Sequence, residues 1–224
     1  MIDTKRLKAL FIDLDGTLVD SIPVLFSVYK EFLAKYDIHG SQKEFDELSG
    51  PALPEIMAVL KERYHLDQDV GDLVEEYQEI LYTHYTQNLR LFSGARSFLK
   101  LAGSLGIKLV LVTSATAKLA TAFLNAEGIS GYFDDIISGN DVEKGKPDPA
   151  IYHRALFRTG INADEALVIE DSKNGIAAAT GAGIRALFLT HGNSHVTGIG
   201  KSMVSQVADW NEIAELFKVW YEQV

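Results

Sequence analysis

Residues 10–21 read LFIDLDGTLVDS, an apolar run that ends in Asp13 and Asp15 and passes at once into Gly16-Thr17. In an extended chain residues i and i+2 point the same way, so the two carboxylates concentrate negative charge that something must neutralise. Three later segments carry matching groups. VTSA offers Thr113 and Ser114, EKGKPDP offers Lys144 and Lys146, and EDSKNG offers Glu170 and Asp171. Carboxylates gathered around a cation, with a hydroxyl and a lysine, suit phosphoryl transfer. Mg²⁺ is typically held by one or two carboxylates plus phosphate oxygens, and catalysis is mainly positioning and charge neutralisation. An aspartate can itself be the nucleophile and form an acyl phosphate. On this reading one of the paired aspartates attacks phosphorus, the other handles the proton of the leaving group, and the metal makes a nearby phosphate tolerable.

The elements that must bring these groups together are visible in the changing period of the apolar residues. Residues 7–12 form a short apolar run of strand type, continuous enough to be buried on both faces. Helical periods follow: Ile22, Leu25, Phe26, Tyr29, Phe32, Leu33 and Tyr36, then Leu53 to Leu60, then Val70 to Tyr85, with no strand between them. From Phe92 the pattern alternates. Helices are predicted over 95–102, 118–127, 149–158 and 175–181, and strands over 108–112, 135–138, 166–169 and 185–190. A short strand at 203–207 and an amphipathic helix at 211–221 follow. Such alternation requires right-handed crossovers and a parallel sheet. The expected fold is α/β, a Rossmann-like parallel sheet with helices on both faces, formed by residues 1–19 and 93–224, with a helical domain at 20–92 inserted after the first strand. In open parallel sheets ligands bind beyond the carboxyl ends of the strands, and all four segments fall at that edge.

Composition narrows the classes of function. With 224 residues and 47% hydrophobic content the chain can bury a full core, and the formal charge of −10, without a basic stripe, argues against nucleic acid as a partner. The absence of cysteine excludes disulfides and thiolate metal sites. No stretch approaches the roughly 20 apolar residues of a membrane span. A soluble cytoplasmic protein, monomeric or weakly dimeric, is expected. The string Gly181-Ala182-Gly183-Ile184-Arg185-Ala186 matches a dinucleotide fingerprint, but it ends a helix and introduces a strand, the reverse of the required context. His191 and His195 are the only histidines close together, and without a helix to align them they do not argue for zinc. Each candidate also has an ordinary structural reading. Thr113, Ser114, Thr116, Asp171 and Ser172 could cap helices, Asp148-Pro149 has the form of a helix start, and Lys144 and Lys146 could be solvated loop lysines. Their convergence on one edge is what favours the functional reading.

In order and spacing, FIDLDGTLVDS, VTSA, GKPDP and EDSKNG resemble the four signature motifs of the haloacid dehalogenase superfamily, in the branch with a helical cap inserted after the first motif. The resemblance spans nearly the whole chain. It implies Asp13 as nucleophile, Asp15 as general acid/base with its backbone carbonyl on Mg²⁺, Thr113 as a phosphate hydrogen-bond donor and Lys146 as the phosphate-binding lysine, with Lys144 as fallback. Asp171 matches a metal ligand, and Glu170 binds the metal directly or through water. Backbone N–H groups around Asp15, Gly16 and Ser114 would complete the phosphate cradle. The implied activity is Mg²⁺-dependent hydrolysis of a small phosphorylated metabolite, a sugar phosphate or a phosphoglycolate-like ester. The cap would close over the substrate and set its choice through Ser49-Gly50-Pro51, Lys61 or Arg63. The alternative within the superfamily is a phosphomutase of beta-phosphoglucomutase type. Sugar mutases of that type carry a histidine five residues after the aspartate that closes the first motif, where this chain has Leu25, expected to pack in the core. A phospho-accepting signalling domain shares the aspartates, hydroxyl and lysine but needs neither the insertion nor the second aspartate.

Overall fold

The computed structural model describes residues 6–48, 53–192 and 203–222. It divides the chain into two compact units, one formed by residues 1–20 and 90–224, the other by residues 21–89.

The first unit is built on a six-stranded, wholly parallel sheet. Its strands are β1 (Ala9–Ile12), β2 (Lys108–Val112), β3 (Asp135–Ile137), β4 (Ala166–Glu170), β5 (Arg185–Leu189) and β6 (Val204–Val207), arranged in the order β3-β2-β1-β4-β5-β6. The order reverses on either side of β1, so β1 lies between β2 and β4, each held in unbroken parallel register. The continuous apolar run of β1 is buried on both faces, as its composition requires. Alternation of side chains sends Ala9, Phe11, Val110, Val112, Val168, Ala186 and Phe188 to one face. There they meet Ile151, Tyr152 and Ala155 of helix α7 (Ala150–Thr159) and Ile176, Ala178 and Ala179 of helix α8 (Lys173–Gly181). Helices α5 (Ala95–Ser104) and α9 (Trp210–Glu222) pack on each other through Phe98, Trp210 and Phe217, the Phe98 and Phe217 rings meeting edge to face at 5.0 Å. Helix α6 (Ala117–Ala126) starts on Thr116, whose hydroxyl accepts from the Leu119 N–H. The glycine string 181–186 lies where the reversed context puts it, ending α8, turning through Gly183 at φ +76° and entering β5. Among the described residues no helix is long and apolar enough to cross a membrane.

The second unit is helical: α1 (Ile22–Ala34), α2 (Gln42–Glu47), α3 (Leu53–Tyr64) and α4 (Val70–Gln87). The stripe Val28, Tyr29, Phe32 and Leu33 is the wholly buried part of α1, with Phe32 edge-on to Tyr77 of α4 at 5.4 Å. The first turn departs from the sequence expectation, because Ile22 is exposed and Leu25 only half-buried; burial of the stripe begins at Val28. Helix α2 has no counterpart in the apolar periods, since its six residues QKEFDE carry one large apolar side chain. It is organised by Glu44, a buried carboxylate that accepts from the hydroxyls of Tyr29 and Tyr64 (2.6 Å for Tyr64) and from the Arg63 guanidinium. Burial alone would raise the Glu44 carboxyl, but these donors together hold it below the ordinary glutamate range. Glu44→Ala should therefore cost about 2–3 kcal/mol by stranding the two phenols. Because a depressed carboxyl stabilises the fold above its unfolded-state pKa, that difference should shrink as pH falls through the glutamate range. Urea unfolding of wild type and variant at neutral and acid pH measures both.

Lys61 and Arg63, considered above as substrate readers, are engaged within this unit. The Lys61 ammonium donates to the Leu66 carbonyl (2.8 Å) and to that of Gln68, while Arg63 pairs with Glu44. Ser49-Gly50-Pro51 and His195 lie outside the described residues.

Candidate active site

The sheet delivers its chemistry at the carboxyl end of its three middle strands. Parallel pairing continues one residue past β1, where the Asp13 N–H donates to the Ile169 carbonyl at 3.1 Å, and past β2, where the Thr113 N–H donates to the Ile137 carbonyl at 2.9 Å. Asp13 and Thr113 are thus fixed by sheet hydrogen bonds, and Glu170 is itself the last residue of β4. Lys146, from the loop before α7, reaches across them. Its ammonium donates to Asp13 Oδ1 (2.6 Å), Glu170 Oε1 (2.6 Å) and the Val112 carbonyl (3.1 Å). All three of its protons have an acceptor, and the side chains of Lys146, Asp13 and Glu170 are 6%, 9% and 1% exposed. Lys144, the fallback, is exposed.

Carboxylate oxygens of Asp13, Glu170 and Asp171 all lie within 4.8 Å of one another. Glu170 is the most committed: Oε1 accepts from Lys146, and Oε2 accepts from both the N–H and the hydroxyl of Ser172 at 2.9 Å. Asp171 Oδ1 accepts from the Thr17 hydroxyl at 2.7 Å. The same carboxylate packs on Gly16, which sits at φ +80°; a Cβ there would stand 2.2 Å from Asp171 Oδ2. Glycine is needed at this position for its conformation and for the close approach. Gly175 makes the corresponding room for Glu170, whose Oε1 would lie 1.7 Å from an added Cβ. Asp15, half-buried, belongs to the tight turn closed by the Gly16 N–H on the Val19 carbonyl, and its side chain is not part of the carboxylate group. The Thr113 hydroxyl oxygen is buried and accepts from the Ala115 N–H at 3.0 Å, which leaves its proton as a donor. Ser114 follows it on the exposed side.

Charge does not balance within this group. Burial raises the Asp13 carboxyl well above the usual carboxylate range; Lys146 opposes the shift, and the neighbouring Glu170 and Asp171 add to it. Asp171 is pushed up to about 6, again chiefly by burial, with the Thr17 hydrogen bond pulling the other way. Burial would also strip the proton from Lys146, but Asp13, Tyr152 and Glu170 more than offset it and hold the ammonium protonated. One lysine thus serves three carboxylates, two buried and one half-buried, and the donor set is all hard oxygen. These residues fit a small divalent cation such as Mg²⁺.

Residues 10–189 match the family of haloacid dehalogenase-like hydrolases. The chain belongs to this family. Its relatives within and around the haloacid dehalogenase-like hydrolases include a phosphorylated carbohydrates phosphatase of Thermotoga maritima, 31% identical over 204 residues that cover 88% of this chain and 90% of the relative. A phosphoglycolate phosphatase of Yersinia pestis is 32% identical over 210 residues, 90% of this chain and 89% of the relative. Among solved structures, a candidate beta-phosphoglucomutase of Thermotoga maritima superposes with a TM-score of 0.82 at 27% identity, over 95% of this chain and 99% of that one.

Within this haloacid dehalogenase-like hydrolase, Thr17, Tyr152 and Ser172 also shape the site; Ser172, expected only as a helix cap, does cap α8 by accepting from the Gly175 N–H at 2.9 Å. Thr17 holds Asp171 and Ser172 holds Glu170. Both sit inside quoted motifs, Ser172 directly after Asp171 and Thr17 two residues after Asp15, and that proximity was the available signal. The Tyr152 ring lies under Lys146, 5.4 Å from ring centre to Nζ, and belongs to the buried i, i+1, i+4 face of α7, where an aromatic reads as core.

Proposed function

We propose that the chain is a Mg²⁺-dependent phosphatase acting on a small phosphate monoester, a sugar phosphate or phosphoglycolate-like compound, through a phosphorylated Asp13. The observation that carries this reading is the triad of contacts at Asp13: a carboxylate fixed at the end of β1, bonded by Lys146 at 2.6 Å, in a group with Glu170 and Asp171 that offers more negative charge than one lysine neutralises. The names of the Thermotoga maritima and Yersinia pestis relatives support the substrate class.

In this reaction Asp13 attacks the phosphorus in line, and Lys146, the Thr113 hydroxyl and backbone N–H groups near Asp15, Gly16 and Ser114 hold the phosphoryl oxygens. Asp15 protonates the departing alcohol and later deprotonates the water that cleaves the acyl phosphate. Asp13, Asp171 and the Asp15 carbonyl would hold Mg²⁺. When bound, the ion supplies charge neutralisation that lets an anionic nucleophile meet an anionic ester. With Oε1 on Lys146 and Oε2 on Ser172, Glu170 serves first to hold the lysine, which favours an indirect over a direct bond to the ion. The helical unit, inserted directly after the first motif, takes the part of a substrate-selecting cap.

The test is phosphate release from a panel of sugar phosphates, phosphoglycolate and nucleotides. Exhaustive chelation should abolish turnover and Mg²⁺ should restore it; full activity after chelation would remove the metal from the mechanism. A phosphomutase is the second reading, favoured by the likeness to the candidate beta-phosphoglucomutase. Leu25 weighs against it, since a leucine has no proton to transfer. Stoichiometric interconversion of two sugar phosphates without phosphate release would decide for the mutase.

A further inference from the structure

The Asp15–Thr17 turn is held by groups far away in the chain. Just past β5 the backbone takes two successive left-handed residues, His191 at φ +51° and Gly192 at φ +75°. The first is an uncommon conformation for a residue with a Cβ, maintained where surroundings fix it. Here the surroundings are specific. The imidazole stacks on Phe92 with ring centres 3.8 Å apart, and its Nε2 lies 2.6 Å from the Gly16 carbonyl oxygen. A carbonyl only accepts, so Nε2 must carry a proton and donate it. The next carbonyl, that of Thr17, accepts from the Trp210 indole N–H at 3.0 Å. The Gly16–Thr17 peptide is therefore anchored by His191, and the residue it leads into is the one whose hydroxyl bonds Asp171.

We propose that His191 is a positioning residue. By fixing the Gly16 carbonyl it sets the plane of the peptide that presents the Thr17 hydroxyl to Asp171, and so holds that carboxylate in place for the cation. This rests on the reading of the site given above, and it assigns a role to a residue that no signature motif contains. The stack on Phe92 supports the ring; the hydrogen bond transmits the effect. Groups of this kind, which orient a metal-binding carboxylate without touching the ion, typically change metal affinity or activity by about 10–100-fold when removed.

Two substitutions separate the hydrogen bond from the stack. His191→Phe keeps an aromatic ring against Phe92 and removes the donor; His191→Gln removes the ring and keeps an N–H donor at similar reach. Mg²⁺ binding to the full-length proteins is measured by calorimetry, alongside melting temperature and, for an ester that wild type hydrolyses, kcat and KM. His191→Phe should weaken Mg²⁺ about tenfold and lower kcat more than it raises KM, with His191→Gln recovering most of the Mg²⁺ affinity. Wild-type Mg²⁺ affinity in His191→Phe, or no recovery in His191→Gln, overturns the proposal, as does a loss that merely follows melting temperature in both variants. If wild type binds Mg²⁺ but hydrolyses no ester, the phosphatase reading fails while the three affinities still decide the role of His191. A wild-type protein that takes up no Mg²⁺ overturns both.

Discussion

Asp13→Asn is expected to abolish turnover, lowering kcat by roughly 10⁴-fold or more while leaving the fold intact. The substitution is isosteric, and the amide oxygen can still accept from the Lys146 ammonium, which now stands 2.6 Å from Oδ1. Removing one of three carboxylates that share one lysine also relieves charge repulsion, so stability should not fall. What is lost is the nucleophile. Asp15→Asn should behave differently. Asp15 lies outside the side-chain carboxylate group, and its proposed work is proton transfer, so an activated ester whose leaving group needs no proton should still phosphorylate Asp13. Dephosphorylation should then be slow enough for the acyl phosphate to accumulate. Borohydride trapping followed by peptide mass spectrometry reads this directly. Borohydride reduction to homoserine at Asp15 in the Asp13→Asn variant, or equal and modest losses in both variants, would argue against the assigned roles.

How the segments meet was legible because three of the four terminate strands of one parallel sheet. The double aspartate, Thr113 and Glu170-Asp171 follow apolar runs whose length and flanking turns mark buried strands, and topology then places their ends side by side. Lys146 was legible only through its motif, since nothing in a loop lysine next to proline indicates that its ammonium will be buried among three acceptors. Helix boundaries moved by one or two residues: the predicted helix at 149–158 begins at Ala150, with Asp148 Oδ1 accepting from the Ala150 N–H, and that at 175–181 begins at Lys173 on its Ser172 cap.

Helix α2 escaped because periodicity detects elements that bury an apolar stripe, and α2 instead buries a carboxylate. A local signal was present: Ser41 caps the helix by accepting from the Glu44 N–H at 3.2 Å, the S-x-x-E pattern of a helix start. His191 left no comparable trace. Its bond to Gly16 spans 175 positions, its conformation is not one its residue type announces, and its stacking partner Phe92 reads as an ordinary apolar residue. Contacts of this kind are set by the packing of complete elements, and they become readable only once the strand order is known.

Lys146→Met should be the most damaging single change to fold and function together. The ammonium gives one proton each to Asp13, Glu170 and the Val112 carbonyl, so its three donors satisfy three buried acceptors. Methionine fills similar space over the Tyr152 ring but leaves two buried carboxylates facing each other without a counter-charge, a defect that costs about 3–5 kcal/mol. Lys146→Arg should not rescue, because a planar guanidinium cannot direct three donors into this arrangement. Activity should fall by about 10²–10³-fold, the usual effect of removing a group that stabilises developing charge. The two losses can be separated. Adding Glu170→Gln to Lys146→Met removes one of the stranded charges, so the double variant should be more stable than the sum of the single effects, with a coupling of about 1–3 kcal/mol, yet remain inactive. Urea unfolding of the two single variants and the double variant, with phosphate release measured on each, completes the cycle. Strict additivity in stability would show that Lys146 and Glu170 do not act as a pair; recovery of turnover in the double variant would show that the lysine serves only to hold the fold.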